Sequence, residues 1–324
     1  MLCVARAAYY TTRVQSLLVV GLCLAAGLGL RWVPSFPAAT AAAVLNAFVL
    51  YVPLPALILV QVPRLAQVGV GADVLAPLLV PWILLVFSVV VVLAAARAFG
   101  WSRPTTAALL LLVPLGNTSF LGIPLTSAWL GPDAVPYAVL YDQLGSFLAL
   151  TIYGALIIAR YSGAADEPLP QMGRLAKKVV LFPPFIALVV AVVLALTLRD
   201  GLSPLVSGAL EQIAASLVPT VMVAVGLQWR LALPRHHLPV IALALGLKLV
   251  ALPLFAWAFV QVAGLAGPAG DVAVFEAAMG PMITAGALAI AAGLEPELVA
   301  AIVGYGTLFS LGTSAVVWAT LVPT

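Results

Sequence analysis

The sequence predicts an all-α membrane protein: ten transmembrane helices in a five-plus-five inverted repeat, with helices four and nine broken. Composition is the first indication, because 64% of the 324 residues are apolar and only 8% are charged, against about a quarter in soluble domains. Apolar runs of about twenty residues recur, each long enough to cross about 30 Å of hydrocarbon. In addition, one polar interval divides the chain in half, and glycine and proline interrupt two of the apolar runs.

Ten stretches have the length and apolarity of a membrane span, and each is bounded by charged or turn-forming residues. The predicted spans are Ser16–Leu30, Ala41–Val60, Val74–Phe99, Thr105–Leu130, Pro136–Ala159, Val179–Leu198, Gly208–Gln228, Pro239–Val262, Val272–Ala292 and Glu297–Leu321.

The distribution of Lys and Arg between loops predicts the orientation in the membrane. Loops on one face carry nine basic residues: Arg31, Arg97, Arg103, Arg160, Arg174, Lys177, Lys178, Arg230 and Arg235. The opposite face, which includes both termini, carries four: Arg6, Arg13, Arg64 and Arg199. Basic loops favour the cytoplasmic side, so we expect a multi-pass plasma-membrane protein with both termini outside. The net charge of +3 follows from this topology and indicates no nucleic-acid partner.

The polar interval Tyr161–Lys178 separates five predicted spans from five others. We therefore predict a first repeat at residues 1–160, a cytoplasmic linker at 161–178 and a second repeat at 179–324. Because five is odd, two equivalent halves would insert with opposite orientations, which is the inverted-repeat arrangement of many transporters.

Helix breakers lie in the middle of the fourth and ninth spans, within Gly116–Pro124 and Met279–Gly286. In lipid, a broken backbone needs protein or a water-filled cavity to satisfy its freed N–H and C=O groups. Interrupted helices at matching places in two halves of a chain indicate the midplane binding site of a secondary transporter. The residues that we assign to the breaks are Gly122, Pro124, Gly280, Pro281 and Gly286.

Asn117 is the most informative polar residue at the first break. Its amide offers two donors and an acceptor, which suit either a substrate carboxylate or the cap of the following half-helix. Thr118 and Thr284 are further hydroxyl donors at the two breaks. The neighbouring Gly116 belongs to the same candidate site.

Two charged residues lie deep within predicted spans. An acidic residue inside a span is a functional candidate by default, so Asp142 is expected either to carry a proton or to form a static pair with Lys248. Lys248 itself could pair with an anionic substrate or extend toward the cytoplasmic end of its helix, and the second is favoured. Gln143 could line the same cavity. Glu276 begins the ninth span and is expected to reach interfacial water.

Three segments resemble the auxin efflux carrier family: Gly116–Leu125 in span four, Tyr137–Ser146 in span five and Asn46–Ala56 in span two. The resemblance implies that spans four and nine cross near the midplane. It also implies a scaffold of spans 1, 2, 6 and 7 and a transport unit of spans 3–5 and 8–10. Members move small organic anions, either aromatic acids or dicarboxylates such as malonate, and the short central loop matches bacterial members. The resemblance assigns substrate contact to Asn117.

The leading hypothesis is therefore a secondary carrier that moves a small organic anion by alternating access. Its expected partners are the lipid bilayer and the anion. It could also assemble as a homodimer. A sodium-coupled carrier similar to the bile-acid symporters is one alternative, although few oxygen ligands accompany the breaks. A channel-like or receptor-like protein is another, although no rings of like charge occur. No His lies within a span, no HExxH motif occurs and the two Cys are far apart. We therefore expect no enzyme activity, metal or cofactor.

Overall fold

The computed structural model describes residues 2–68, 72–161, 177, 179–198, 201–229 and 233–322. Within these ranges the protein is all-helical, and the only extended pairing is a single bridge between two residues. The α-helices are α1 Leu2–Arg31, α2 Ala38–Tyr51, α3 Pro53–Val68, α4 Leu75–Phe99, α5 Arg103–Leu112, α6 Ile123–Trp129, α7 Val135–Tyr141, α8 Ala155–Tyr161, α9 Pro183–Thr197, α10 Pro204–Ala215, α11 Leu217–Gln228, α12 Leu238–Gly246, α13 Leu252–Val262, α14 Pro268–Ala277, α15 Ile283–Ala291 and α16 Pro296–Leu321. Most of the predicted linker 161–178 lies outside the described residues.

Four π-helical segments are inserted between these α-helices: π1 Thr118–Gly122, π2 Asp142–Phe147, π3 Leu150–Gly154 and π4 Leu247–Ala251. A π turn leaves a carbonyl without its usual helical donor, and such turns occur often at functional sites. In π2 the carbonyl of Leu144 accepts a hydrogen bond from the indole Nε1 of Trp82, over 3.0 Å. The candidate residues Thr118, Asp142 and Lys248 all lie in π segments.

Six helical stretches of the described chain are long and apolar enough to cross a membrane: Ala38–Leu65, Ala72–Phe99, Pro132–Tyr161, Pro204–Gln228, Arg235–Val262 and Pro296–Leu321. Two shorter apolar helices are Gln15–Arg31 and Pro183–Thr197. The predicted fourth and ninth spans each consist of separate shorter helices, α5 and α6 in one and α14 and α15 in the other.

The helices group into two compact units. Unit 1 consists of residues 1–70, 123–139 and 181–229, so its helices are α1–α3, α6 and α9–α11. In this unit α1 packs on α11 at Gly27 and Gly226. A Cβ on Gly226 would lie 2.9 Å from the main-chain nitrogen of Leu28 and 3.0 Å from Cα of Gly27. Only small residues permit such a close approach of two helices.

Unit 2 consists of residues 71–122, 140–180 and 230–324, and therefore contains α4, α5, α8 and α12–α16. Its apolar core is built around the consecutive buried residues Ala107–Val113 of span four together with α14 and α16. A helix that is apolar on all sides is buried on all sides, which fits α5 at the centre of this unit. Both breaks and all four π segments lie in unit 2.

Candidate functional site

The two interrupted helices meet in unit 2 as a short antiparallel pair. Gly116 lies opposite Pro281. The backbone N–H of Asn117 donates to the carbonyl of Gly280 over 2.8 Å, and that of Met282 donates to Leu115 over 2.9 Å. Backbone groups that the breaks free from helical bonding are thus satisfied by each other, as a low-dielectric surrounding requires.

Pro114 explains where the first helix stops. Proline has no N–H to donate to the carbonyl four residues earlier, and at Pro114 that acceptor is Leu110. The hydroxyl of Tyr153 supplies the missing donor, over 2.8 Å. The break therefore precedes two of the residues that we assigned to it: Gly122 ends π1, and Pro124 lies at the start of α6.

At the second break, α14 ends at Ala277 and α15 begins at Ile283. Gly280 and Pro281 lie in the interruption, whereas Gly286 lies within α15. Gly280 packs directly on α16, since a Cβ there would lie 2.7 Å from the main-chain oxygen of Gly306. Pro281 packs against Gly306 itself. Gly280 in the break and Gly306 in α16 thus allow the second break to pack closely against α16.

Asn117 is buried, with 2% of its surface exposed. Its main-chain oxygen accepts hydrogen bonds from the N–H groups of Leu121 and Gly122, each over 3.0 Å, and so starts π1. Its side-chain Nδ2 has no hydrogen-bond partner among the described residues. Because an unmade bond of a buried donor costs about 1–3 kcal/mol, this amide is well suited to receive an acceptor from a ligand.

Asp142 is fully buried and accepts three hydrogen bonds. Thr118 and Ser119 donate to Oδ1 over 2.5 and 2.6 Å, and Gln143 donates to Oδ2 over 2.7 Å. No ion pair joins Asp142 to Lys248 in the described part of the chain, so the static pair that we considered is not formed. The carboxylate instead fixes the hydroxyls of π1 to π2. Ser119 was not among the residues predicted from the sequence.

Lys248 is buried, with 2% exposed, and does not extend toward the surface as we favoured. A Cβ built on Gly116 would lie only 3.2 Å from its Nζ. The absence of a side chain at Gly116 thus makes room for the ammonium beside the first break. This places the amino group of Lys248 next to the residue that precedes Asn117.

Glu276 is the clearest correction to the sequence analysis. It was expected at interfacial water, but it is 1% exposed and lies in the last turn of α14, just before the second break. Its carboxylate occupies the space that a Cβ on Gly122 would need. It also interacts electrostatically with Lys248 and Tyr141. The missing side chain at Gly122 therefore leaves the space that this carboxylate fills.

The remaining candidates are distributed as follows. Gln143 is buried beside Asp142, with its Oε1 unpartnered among the described residues. Thr284 lies in the first turn of α15 with an exposed side chain. No group of three or more His, Cys, Asp or Glu side chains in the described ranges could hold a metal ion.

Unit 1 contains a separate cleft of about 210 Å³. Gln61, Ser127 and Glu211 supply its polar lining, and Leu57, Val60 and Ile123 part of its apolar lining. Glu211 forms an ion pair with Arg64, and both side chains are about half exposed. Glu211 therefore reaches the surface of unit 1.

Apolar helices with two mutually paired breaks around buried charges define a membrane protein of the transporter type. The family model described as "Membrane transport protein" matches residues 13–318, and the chain belongs to this family, the auxin efflux carrier family. It is a multi-pass membrane protein of a transporter family, and not of an enzyme family.

Two archaeal relatives carry the description "uncharacterized transporter". One, from Methanothermobacter thermautotrophicus, is 30% identical over 271 residues, which is 83% of this chain and 86% of that protein. The other, from Methanocaldococcus jannaschii, is 23% identical over 192 residues, which is 57% of this chain and 59% of that protein.

Proposed function

We propose that this protein is a secondary carrier that binds a small organic anion at the paired helix breaks and moves it by alternating access. The observation that carries the proposal is Asn117, whose buried Nδ2 has no partner among the described residues. Lys248, next to Gly116, adds an amino group, which is cationic when protonated, to the same place. An amide donor and an ammonium together match the hydrogen-bonding capacity and the charge of a carboxylate.

The architecture that we propose is the ten-helix inverted repeat, with the breaks crossing near the midplane. The antiparallel pairing of Gly116 with Pro281 supports it, because each half contributes one interrupted helix to a common pair. The division into units supports a scaffold of spans 1, 2, 6 and 7, which all fall in unit 1. The expected division differs in two places, since α6, the second half of span four, and the start of span five through Val139 both group with unit 1.

Uptake by purified protein in proteoliposomes tests the proposal. Labelled malonate and labelled indole acetic acid represent the dicarboxylates and the aromatic acids, and proton and sodium gradients are imposed separately. We expect saturable uptake of one of these acids, with counterflow when unlabelled acid is present inside. Conduction that neither saturates nor shows counterflow would favour the channel-like alternative.

The ion dependence separates the carrier hypotheses. Uptake that requires a sodium gradient would favour the sodium-coupled alternative. Both oxygens of Asp142 are already occupied by three donors, which leaves few oxygen ligands for a sodium ion near π1. We therefore expect the proton gradient, and not the sodium gradient, to change the uptake rate.

A further inference from the structure

We propose that Gln143 determines which anions the site accepts: its Oε1 receives a hydrogen bond from the substrate, which therefore carries an O–H or N–H donor in addition to its carboxylate. This inference rests on the proposed function and names the substrate class of the same site. The class is that of hydroxy acids and of acids with an N–H group, as opposed to carboxylates that have no further donor.

The two ends of the Gln143 amide have different surroundings. The side chain lies in π2 and is buried, with 1% of the residue exposed. Its Nε2 donates to Oδ2 of Asp142 over 2.7 Å, whereas its Oε1 has no hydrogen-bond partner among the residues that the structure describes. A buried acceptor without a donor is costly, so Oε1 is well suited to a donor that a ligand brings.

Asp142 fixes the direction in which this amide points. Its Oδ1 accepts hydrogen bonds from Thr118 and Ser119, over 2.5 and 2.6 Å, and its Oδ2 accepts the one from Gln143. Turning the amide around would bring Oε1 against Oδ2, and neither an amide oxygen nor a carboxylate oxygen can donate. The amide therefore presents an acceptor, and not a donor, on the side that faces away from Asp142.

Gln143 and Asn117 are linked through the same carboxylate. The residue after Asn117 is Thr118, whose hydroxyl donates to one oxygen of Asp142. Gln143 donates to the other oxygen, and all four residues belong to unit 2. The two amide atoms that have no partner in the described ranges are Nδ2 of Asn117 and Oε1 of Gln143. They have opposite polarity, since the first is a donor and the second an acceptor.

A substrate that satisfies both amides needs an acceptor for Asn117 and a donor for Gln143. A carboxylate supplies the acceptor, but an ionised carboxylate has no O–H to offer, and malonate carries no other polar group. A hydroxyl or an N–H elsewhere in the molecule supplies the donor. Malonate would leave Oε1 of Gln143 unpaired, and a site built around such a polar group rejects analogues that lack its partner. The site therefore favours a donor-bearing acid over the same acid without the donor.

Two pairs of acids, whose members differ by a single donor, test the inference. Hydroxymalonate has one hydroxyl more than malonate, and indole acetic acid has an N–H where benzofuran acetic acid has an oxygen. Each acid is titrated into detergent-purified protein by calorimetry at about pH 8, where carboxylic acids are ionised. Gln143→Met removes the acceptor and keeps the length of the side chain. Gln228→Met is the matched control, because Nε2 of Gln228 donates to Ala224 within its own helix in unit 1.

In the wild type we expect the donor-bearing acid of at least one pair to bind at least about tenfold more tightly than its partner, since the partner leaves a buried acceptor unpaired. Gln143→Met should lower this ratio to about one or below, because a hydroxyl or N–H that finds no acceptor is costly to remove from water. Asn117→Ala should weaken both acids of the pair and keep their ratio, because its Nδ2 is assigned to the carboxylate that both share. Gln228→Met should keep the wild-type affinities.

Equal affinities within the pairs in the wild type would overturn the inference, and a ratio that persists in Gln143→Met would remove Gln143 from this role. If Gln143→Met does not fold, Gln143→Asn replaces it, because the shorter amide withdraws the acceptor and should also lower the ratio; an unchanged ratio there contradicts the assignment. Saturable uptake and counterflow with equal affinities would reject this inference alone. Absence of both binding and uptake for all four acids would instead reject the proposed function.

Discussion

The backbone N–H of Asn117 donates to the carbonyl of Gly280 over 2.8 Å, and this bond joins the two interrupted helices of the chain. The same residue therefore has two separate tasks. Its main chain joins the two breaks, and its side-chain Nδ2 has no partner in the described part of the chain. A substitution that alters only the side chain can test binding without removing the pairing.

Asn117→Ala should weaken malonate or indole acetic acid binding by at least about tenfold, since a hydrogen bond to a charged group contributes about 1.5–3 kcal/mol. The thermal midpoint in detergent should change little, because the main-chain bonds remain. Asn46→Ala, which changes the only other asparagine of the chain, is the control and should transport normally. Unchanged affinity in Asn117→Ala would leave this residue with a structural role alone.

Gly306→Ala should lower the free energy of unfolding by about 1–3 kcal/mol, the usual cost of overpacking, since the added Cβ would overlap Pro281 at the second break. Gly312→Ala, in the same helix α16, meets no neighbouring atom within 4 Å. It should be neutral or slightly stabilising, because alanine favours helices. Thermal unfolding in detergent compares the two, and equal effects would argue against close packing at Gly306.

Asp142→Ala should destabilise the protein, because Thr118, Ser119 and Gln143 would lose their common acceptor. Loss of hydrogen bonds to a buried carboxylate costs several kcal/mol in total. Asp142→Asn keeps the shape and an acceptor oxygen, and so should recover part of the thermal midpoint. The two variants are compared by thermal unfolding, and no difference from wild type in either would mean that this cluster does not hold π1 to π2.

Arg64→Gln should change the free energy of unfolding by less than about 1 kcal/mol, although Arg64 pairs with Glu211 beside the unit 1 cleft. Both side chains are about half exposed, and exposed ion pairs contribute little. Unfolding is measured for Arg64→Gln, Glu211→Gln and the double variant. A coupling energy well above this limit would show that the pair is more than a surface contact.

The orientation remains a prediction of the charge distribution. In a background without Cys3 and Cys23, a cysteine at Ala165 should react only with reagents that reach the cytoplasm. A cysteine at Asp133 should react from outside, because the loop after α6 falls on the opposite face. Impermeant maleimide on intact cells distinguishes the two positions, and outside labelling at residue 165 would reverse the proposed topology.

The sequence by itself determined the class of protein, the helical fold and the two stretches in which helices are interrupted. Hydropathy and breaker residues are local properties, because a long apolar run must be a helix in lipid wherever it later packs. The family followed in the same way from contiguous residues such as Gly116–Leu125. Asn117, Gly280 and Pro281 could therefore be placed at the breaks without a structure.

Only the tertiary structure decided which residue breaks the first helix and which charges are buried together. Pro114 could end α5 because Tyr153, 39 positions later in the sequence, satisfies the freed carbonyl of Leu110. Glu276 was expected at the surface because it begins an apolar run, yet it is buried, and its carboxylate lies against Gly122. Such contacts join residues far apart in the chain, so their burial depends on how helices pack and cannot be read from local hydropathy.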